Sequence, residues 1–214
     1  MEKDIDEKLN FIIDRLAEKY PKPETELNHK SPFELLVATI LSAQTTDVQV
    51  NKVTEDLFEE YNNPDDFANL SPNDLADKIK SIGLYRNKSK FIVESSRIIL
   101  SDFDGQVPRN FSDLLKLPGV GRKTASVVLV GAFSTPAFPV DTHVFRVSNR
   151  LGLADSDKVE EVEEQLKELI PEELWADMHH WLIFHGREVC KARSPKCEIC
   201  ELKGYCSYYQ KKGE

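Results

Sequence analysis

Upstream of residue 190 the sequence contains no cysteine. That absence rules out a disulfide framework for most of the chain. No apolar run approaches the ~20 residues a membrane-spanning helix needs. The first residues, MEKDIDEK, are too charged for a signal peptide, so a soluble, cytoplasmic protein without a membrane partner is expected. No period-2 strand, Asn-Gly hairpin, internal repeat or low-complexity tract stands out. What remains is an all-α reading, about ten helices joined by short loops. Net positive charge is also lacking: the formal total is −9, which weighs against a polyanionic partner.

The helix signals themselves are strong. Ser31-Pro32-Phe33-Glu34 places Ser at the N-cap, Pro at the first position and Glu reaching back from the third. Asn63-Pro64-Asp65-Asp66 and Ser71-Pro72-Asn73-Asp74 repeat the form. Leu35, Leu36, Ile40 and Leu41 mark a buried helix, and Val159, Val162, Leu166, Leu169 and Ile170 share one helical face. A seam lies at Ser134-Thr135-Pro136-Ala137-Phe138-Pro139, where two prolines impose an extended connector. Two lobes with a cleft at this seam are expected.

The charge is unevenly spread. Residues 155–177 hold a net −8, and residues 55–77 hold eight acids and no Lys or Arg. Residues 85–123 carry a net +4, and residues 185–214 a net +3. A binding face responds to its local field rather than to the total, and both basic stretches coincide with motifs.

One motif is the cysteine set. Cys190, Cys197, Cys200 and Cys206 are spaced C-x6-C-x2-C-x5-C within 17 residues. Four thiolates in one loop suit a tetrahedral zinc ion or an iron–sulfur cluster; a single CxxC and long flanking gaps favour the cluster. The first gap contains Lys191, Arg193 and Lys196, a basic loop able to meet a phosphate backbone.

The other is LPGVGRKTA, Leu117 to Ala125. A short helix over 111–117 and a second over 122–133 flank Pro118-Gly119-Val120-Gly121, a helix-hairpin-helix pattern. Glycines allow the tight turn and a close backbone approach, and the next helix presents its N–H groups to a phosphate without reading a base. A P-loop is excluded, because the GK pair and the preceding strand are missing; so is a dinucleotide fingerprint, whose sixth position here is Thr124. Lys123 sits at a helix N-terminus, which disfavours its charge. A neutral lysine amine is a nucleophile for sugar carbonyl carbons. Asp141 lies 18 residues on, as a candidate proton acceptor or a plain N-cap.

Together, LPGVGRKTA, VDTHVFRVSNR (140–150), the cysteine tail, SPFELLVATILSAQTTDVQVNK (31–52), SIGLYRNKSK (81–90) and HHWLIFHGREVC (179–190) resemble the endonuclease III family of DNA repair glycosylases. The likeness runs from about residue 5 to residue 209. It implies two helical lobes with DNA bound in the cleft between them. One is a six-helix barrel domain, residues 24–134, with the helix-hairpin-helix at about 111–132. The other, 1–23 plus 135–214, holds a [4Fe-4S] cluster on the four cysteines. By the same resemblance Lys123 is the nucleophile that attacks C1′ and Asp141 its partner carboxylate. Gln44 and Leu84 enter the base stack, and Gly119, Val120, Gly121, Arg122, His143, Lys191 and Arg193 contact DNA. Val130 and Ser148 depart from residues associated with bacterial members.

The expected function is therefore a bifunctional DNA glycosylase and abasic-site lyase. It would remove oxidised or damaged pyrimidines from double-stranded DNA and cleave 3′ to the site by β-elimination through a lysine Schiff base, as a monomer, nucleoid-associated in a prokaryotic cell. Relatives that only hydrolyse the glycosidic bond typically lack the lysine. A monofunctional mismatch glycosylase and a non-catalytic DNA-binding module are the alternatives.

Overall fold

The structure, a computed structural model, describes residues 2–23 and 25–211. Among these there are twelve α-helices and no strand. They are α1 Glu2–Lys19, α2 Pro32–Ser42, α3 Asp47–Glu60, α4 Pro64–Asn69, α5 Pro72–Lys78, α6 Tyr85–Asp102, α7 Phe111–Leu114, α8 Arg122–Phe133, α9 Thr142–Leu151, α10 Val159–Leu169, α11 Trp175–Glu188 and α12 Ser207–Gln210. Short 3-10 turns occupy 172–174, 197–199 and 203–205. The short helix expected over 111–117 is present but ends at Leu114, and α12 is a single turn of four residues, below what apolar periodicity detects.

Helix starts form as the cap residues dictate. Ser31 accepts from the Glu34 N–H, Asn63 from that of Asp66, and Ser71 and Asp74 close a full capping box. Glu34 does reach back, but its carboxylate takes the N–H of Lys30 rather than that of Ser31.

The chain divides into two units, Thr25–Ala137 and Met1–Glu24 with Phe138–Glu214. The first contains α2 to α8. Helix α2 is buried from Phe33 to Leu41. It packs against α8 so closely that a side chain at Gly131 would meet Leu35 at 2.7 Å. Leu36, Ile40, Phe67, Ile92, Leu114 and Val128 form the heart of this core.

In the second unit α1 lays Leu9, Ile12 and Leu16 against α11, where the Trp181 indole donates to the Tyr20 carbonyl at 2.9 Å. Helix α9 packs on α11 through Val144, Val147 and Leu151. Of the face read for α10, Val162, Leu166 and Ile170 are buried, while Val159 is 44 % exposed at the helix's first turn. Ser148 is buried, and its hydroxyl donates back to the Val144 carbonyl at 2.7 Å. Val130 is half-buried against the first unit's core.

Candidate active site and cluster loop

The glycine turn joins α7 to α8. The Val120 N–H donates to the Leu117 carbonyl at 3.1 Å, and Ser95 on α6 donates to the Pro118 carbonyl at 2.9 Å, pinning the turn. The two glycines have different reasons to be there. Gly119 has φ +78°, and a Cβ would lie 2.9 Å from Phe91. Gly121 is the α8 N-cap in an extended conformation with open space around it. The close approach expected at both glycines occurs only at Gly119, against a side chain. The bare space is at Gly121. No side-chain hydrogen bond caps α8 at Gly121, and the first N–H groups of any helix have no intrahelical carbonyl to pair with. Exposed Lys123 is the second residue of that turn, and the Arg122 guanidinium lies 5.1 Å over the Phe111 ring. The Val120 side chain is buried and its N–H is spent within the turn, so it offers a phosphate no donor.

In the same unit the loops carrying Gln44 and Leu84 meet. Both residues have left-handed backbones, φ +57° and +58°, and both side chains are exposed. The Gly83 N–H donates to the Thr45 hydroxyl at 3.3 Å, and a Cβ on Gly83 would lie 3.3 Å from the Gln44 carbonyl oxygen. A non-glycine residue in this region of backbone space is strained, and Leu84 also has no side-chain cap to offer α6.

In the other unit Asp141 is the N-cap of α9. Its Oδ1 accepts from both the His143 and Val144 N–H groups at 2.8 Å, so the cap does not use Oδ2. The cap occupies one oxygen of the carboxylate and leaves the other outside it. His143 accepts at Nδ1 from Arg146 at 3.2 Å. Burial first, then the Arg146 and Arg187 charges, push its pKa down against the pull of Asp141, which favours the neutral ring with its proton on Nε2.

Two arginines on α9 escaped the sequence reading. The Arg146 Nε donates to the Cys190 carbonyl at 3.1 Å and its Nη2 to the Gly186 carbonyl at 3.0 Å. Arg150 donates to the Lys191 and Ala192 carbonyls at 2.8 and 3.0 Å. The Lys191 and Lys196 N–H groups both donate to the Val189 carbonyl, closing the loop on which Lys191 and Arg193 stand exposed. The i, i+4 spacing of the two arginines within VDTHVFRVSNR was the available signal.

Cys190, Cys197, Cys200 and Cys206 line one pocket with His185, Val189 and Tyr209. Among the described residues no three His, Cys, Asp or Glu side chains gather closely enough to hold a single metal ion. Four thiols around a pocket, rather than at a point, fit a multi-atom cluster. Burial and the neighbouring thiols raise the pKa of Cys200 and Cys206, so a bound cationic centre is what would make them thiolates. His185 is held neutral, its pKa lowered to about 4 by burial and by Lys19. Its Nε2 lies 3.6 Å from the Cys200 sulfur, while its buried Nδ1 has no hydrogen-bond partner among the described residues.

Comparison with known proteins supplies the family. Residues 37–172 match the family model described as "HhH-GPD superfamily base excision DNA repair protein", and residues 190–206 match "Iron-sulfur binding domain of endonuclease III". The endonuclease III of Rickettsia prowazekii (strain Madrid E) is 50 % identical over 201 residues, covering 94 % of this chain and 95 % of that one. The chain belongs to the endonuclease III family. The endonuclease III of Bacillus subtilis (strain 168) is likewise 50 % identical over 205 residues, covering 95 % of this chain and 94 % of that one. A solved structure of a trapped endonuclease III–DNA covalent intermediate is 47 % identical and superposes with a TM-score of 0.92, covering 97 % of this chain and 98 % of that one. As a member, the chain is a DNA glycosylase and abasic-site lyase of base excision repair with a [4Fe-4S] cluster. No helix of the described residues is long and apolar enough to cross a membrane.

Proposed function

We propose that Lys123 is the Schiff-base nucleophile of this enzyme, acting with Asp141 on oxidised pyrimidine nucleotides in double-stranded DNA. The observation that carries this reading is an exposed amine on an uncapped helix start, beside a glycine whose flank is open. The neutral amine attacks C1′ and the bond to the base breaks, its electron pair leaving with the base. The carboxylate of Asp141 accepts the amine's proton through the oxygen its cap leaves free. The C1′–O4′ bond then opens, its electron pair and a proton going to O4′, to give the iminium; loss of a C2′ proton from that iminium expels the 3′ phosphate. The first-turn N–H groups of α8, with Arg122 and the backbone of Gly119 and Gly121, take backbone phosphate. His143, Lys191 and Arg193 supply further contacts, and Gln44 and Leu84 occupy the space an extruded base leaves.

Cys190, Cys197, Cys200 and Cys206 hold the cluster, which when bound cross-links the basic loop. The barrel with its hairpin is assigned to 24–134 and the cluster domain to 1–23 plus 135–214. The enzyme is read as a monomer of the cytoplasm, on the nucleoid in a prokaryotic cell. A relative of the same fold trapped as a covalent intermediate on DNA supports the lysine chemistry.

The test is borohydride trapping on a duplex with one abasic site, together with analysis of the cleaved ends. A covalent adduct and a 3′ unsaturated aldehyde are expected. A folded, cluster-loaded protein that binds the duplex yet gives neither would refute the lyase assignment for Lys123.

A further inference from the structure

Lys88 is a buried cation that the chemistry above does not use. Its side chain is 4 % exposed, in the first turn of α6. Burial alone sets its pKa, downward. A buried ammonium is costly unless each of its protons finds an acceptor. Here three acceptors do so: the Leu41 carbonyl at 2.8 Å, the Ala43 carbonyl at 2.5 Å and the Thr45 hydroxyl at 3.2 Å. Leu41 belongs to the last turn of α2 and Ala43 is its C-cap, so the ammonium sits at the negative end of that helix.

These contacts converge on the Gln44 and Leu84 loops. Ala43 and Thr45 flank Gln44, and both bind the Lys88 amine. The same Thr45 hydroxyl takes the N–H of Gly83, the neighbour of Leu84, and the Lys88 N–H itself donates to the Leu84 carbonyl at 3.1 Å. One side chain therefore fastens the chain on both sides of Gln44 and, through Thr45, beside Leu84. Left-handed non-glycine residues persist only where the surroundings over-determine them. Both side chains are exposed, Leu84 by 54 %, so core packing does not hold them in place.

We propose that Lys88 is a positioning residue for base extrusion: its ammonium locks Gln44 and Leu84 in strained, exposed conformations, ready to enter the stack without reorganising. This rests on the reading of Gln44 and Leu84 as stack-entering residues.

The experiment uses the cluster-loaded full chain and two substrates. One is a duplex oligonucleotide with thymine glycol opposite adenine, followed under single-turnover conditions. The other is single-stranded DNA with an abasic site, where no stack has to be opened, followed by borohydride trapping. Lys88→Met is expected to slow base removal from the duplex by roughly 10²-fold, the scale of loss when positioned groups shift by about an ångström. Trapping on the single strand is expected to stay unchanged. Thr45→Val should show the same split at smaller size, and Thr45→Ser, which keeps the hydroxyl, should restore native rates. Should Lys88→Met fold poorly, as judged by circular dichroism and cluster absorbance, the Thr45 pair carries the test alone. In a Gln44→Ala/Leu84→Ala background, Lys88→Met should cost nothing further. Equal losses on both substrates, or native duplex rates in Lys88→Met and Thr45→Val, would overturn the proposal. If Gln44→Ala/Leu84→Ala itself reacts at the native rate on the duplex, the reading beneath the proposal fails. That outcome is distinct from one in which those residues matter and Lys88 does not.

Discussion

Helices α8 and α9 begin in opposite ways. Gly121 opens α8 with no side chain, no cap and an exposed lysine two residues further in. Asp141 opens α9 with a carboxylate whose Oδ1 takes two N–H groups at 2.8 Å. A helix start carries partial positive charge, which a carboxylate complements and an ammonium opposes. Helix α9 is therefore satisfied from within the chain. Helix α8 has no such cap, and an exposed amine stands in its first turn.

Lys123→Gln tests the α8 side most severely. Removing the nucleophile should abolish borohydride adducts and lower strand cleavage by on the order of 10³-fold or more, read by single-turnover kinetics. Retained cleavage at the native rate would move the chemistry to another amine.

Asp141 permits a sharper dissection, because its cap and its proposed chemistry use different oxygens. Asp141→Asn keeps a good cap, so thermal stability should hold, while base removal falls by about 10²-fold or more through loss of the carboxylate. Asp141→Ala should lose both, adding a stability cost of about 1 kcal/mol in denaturant titration. Native activity in the Asn variant would reduce Asp141 to a cap.

At the hairpin, Gly119→Ala must accept φ +78° and a clash with Phe91, which should destabilise the fold by about 1–3 kcal/mol in chemical denaturation. Gly121→Ser meets neither obstacle. It should change stability by only a few tenths of a kcal/mol, yet weaken affinity for abasic duplex, because the new hydroxyl competes for the donors proposed to meet phosphate. Equal stability losses at both glycines would contradict this division of labour.

The smallest effect concerns His143 on α9. Its folded pKa lies below its unfolded value near 6.5, so the unfolded chain binds the proton more readily. Stability should thus rise with pH across the window from the folded pKa to about 6.5 and fall on acidification, when Nδ1 can no longer accept from Arg146. Melting temperatures of the native chain and His143→Asn across that range should converge at the acid end.

How much of this was readable in advance differs between the two helices. The span of α8, its glycine turn and the N-cap at Asp141 follow from local rules, since turn geometry and capping involve residues within four positions of one another. The inward turn of Val120 did not follow, because a valine between two glycines reads as a loop tip until Leu117 claims its N–H. The left-handed backbone of Gln44 had no local signal either; neither Ala43 nor Thr45 demands it.

The sequence by itself determined the helical class, the cap-defined starts at Ser31, Asn63 and Ser71, the four cysteines as one ligand set and the motifs that carry the family. Those depend on short-range periodicity and on chemistry that only a few residue types can perform. The tertiary structure alone decided that Lys88 would be a buried clamp on residues more than 40 positions away. It also decided that Arg146 and Arg150 would hold the loop beginning at Cys190, and that Gly119 but not Gly121 would be sterically compelled. A lysine or arginine side chain satisfies whatever carbonyls packing brings within its reach, and no local pattern names those carbonyls.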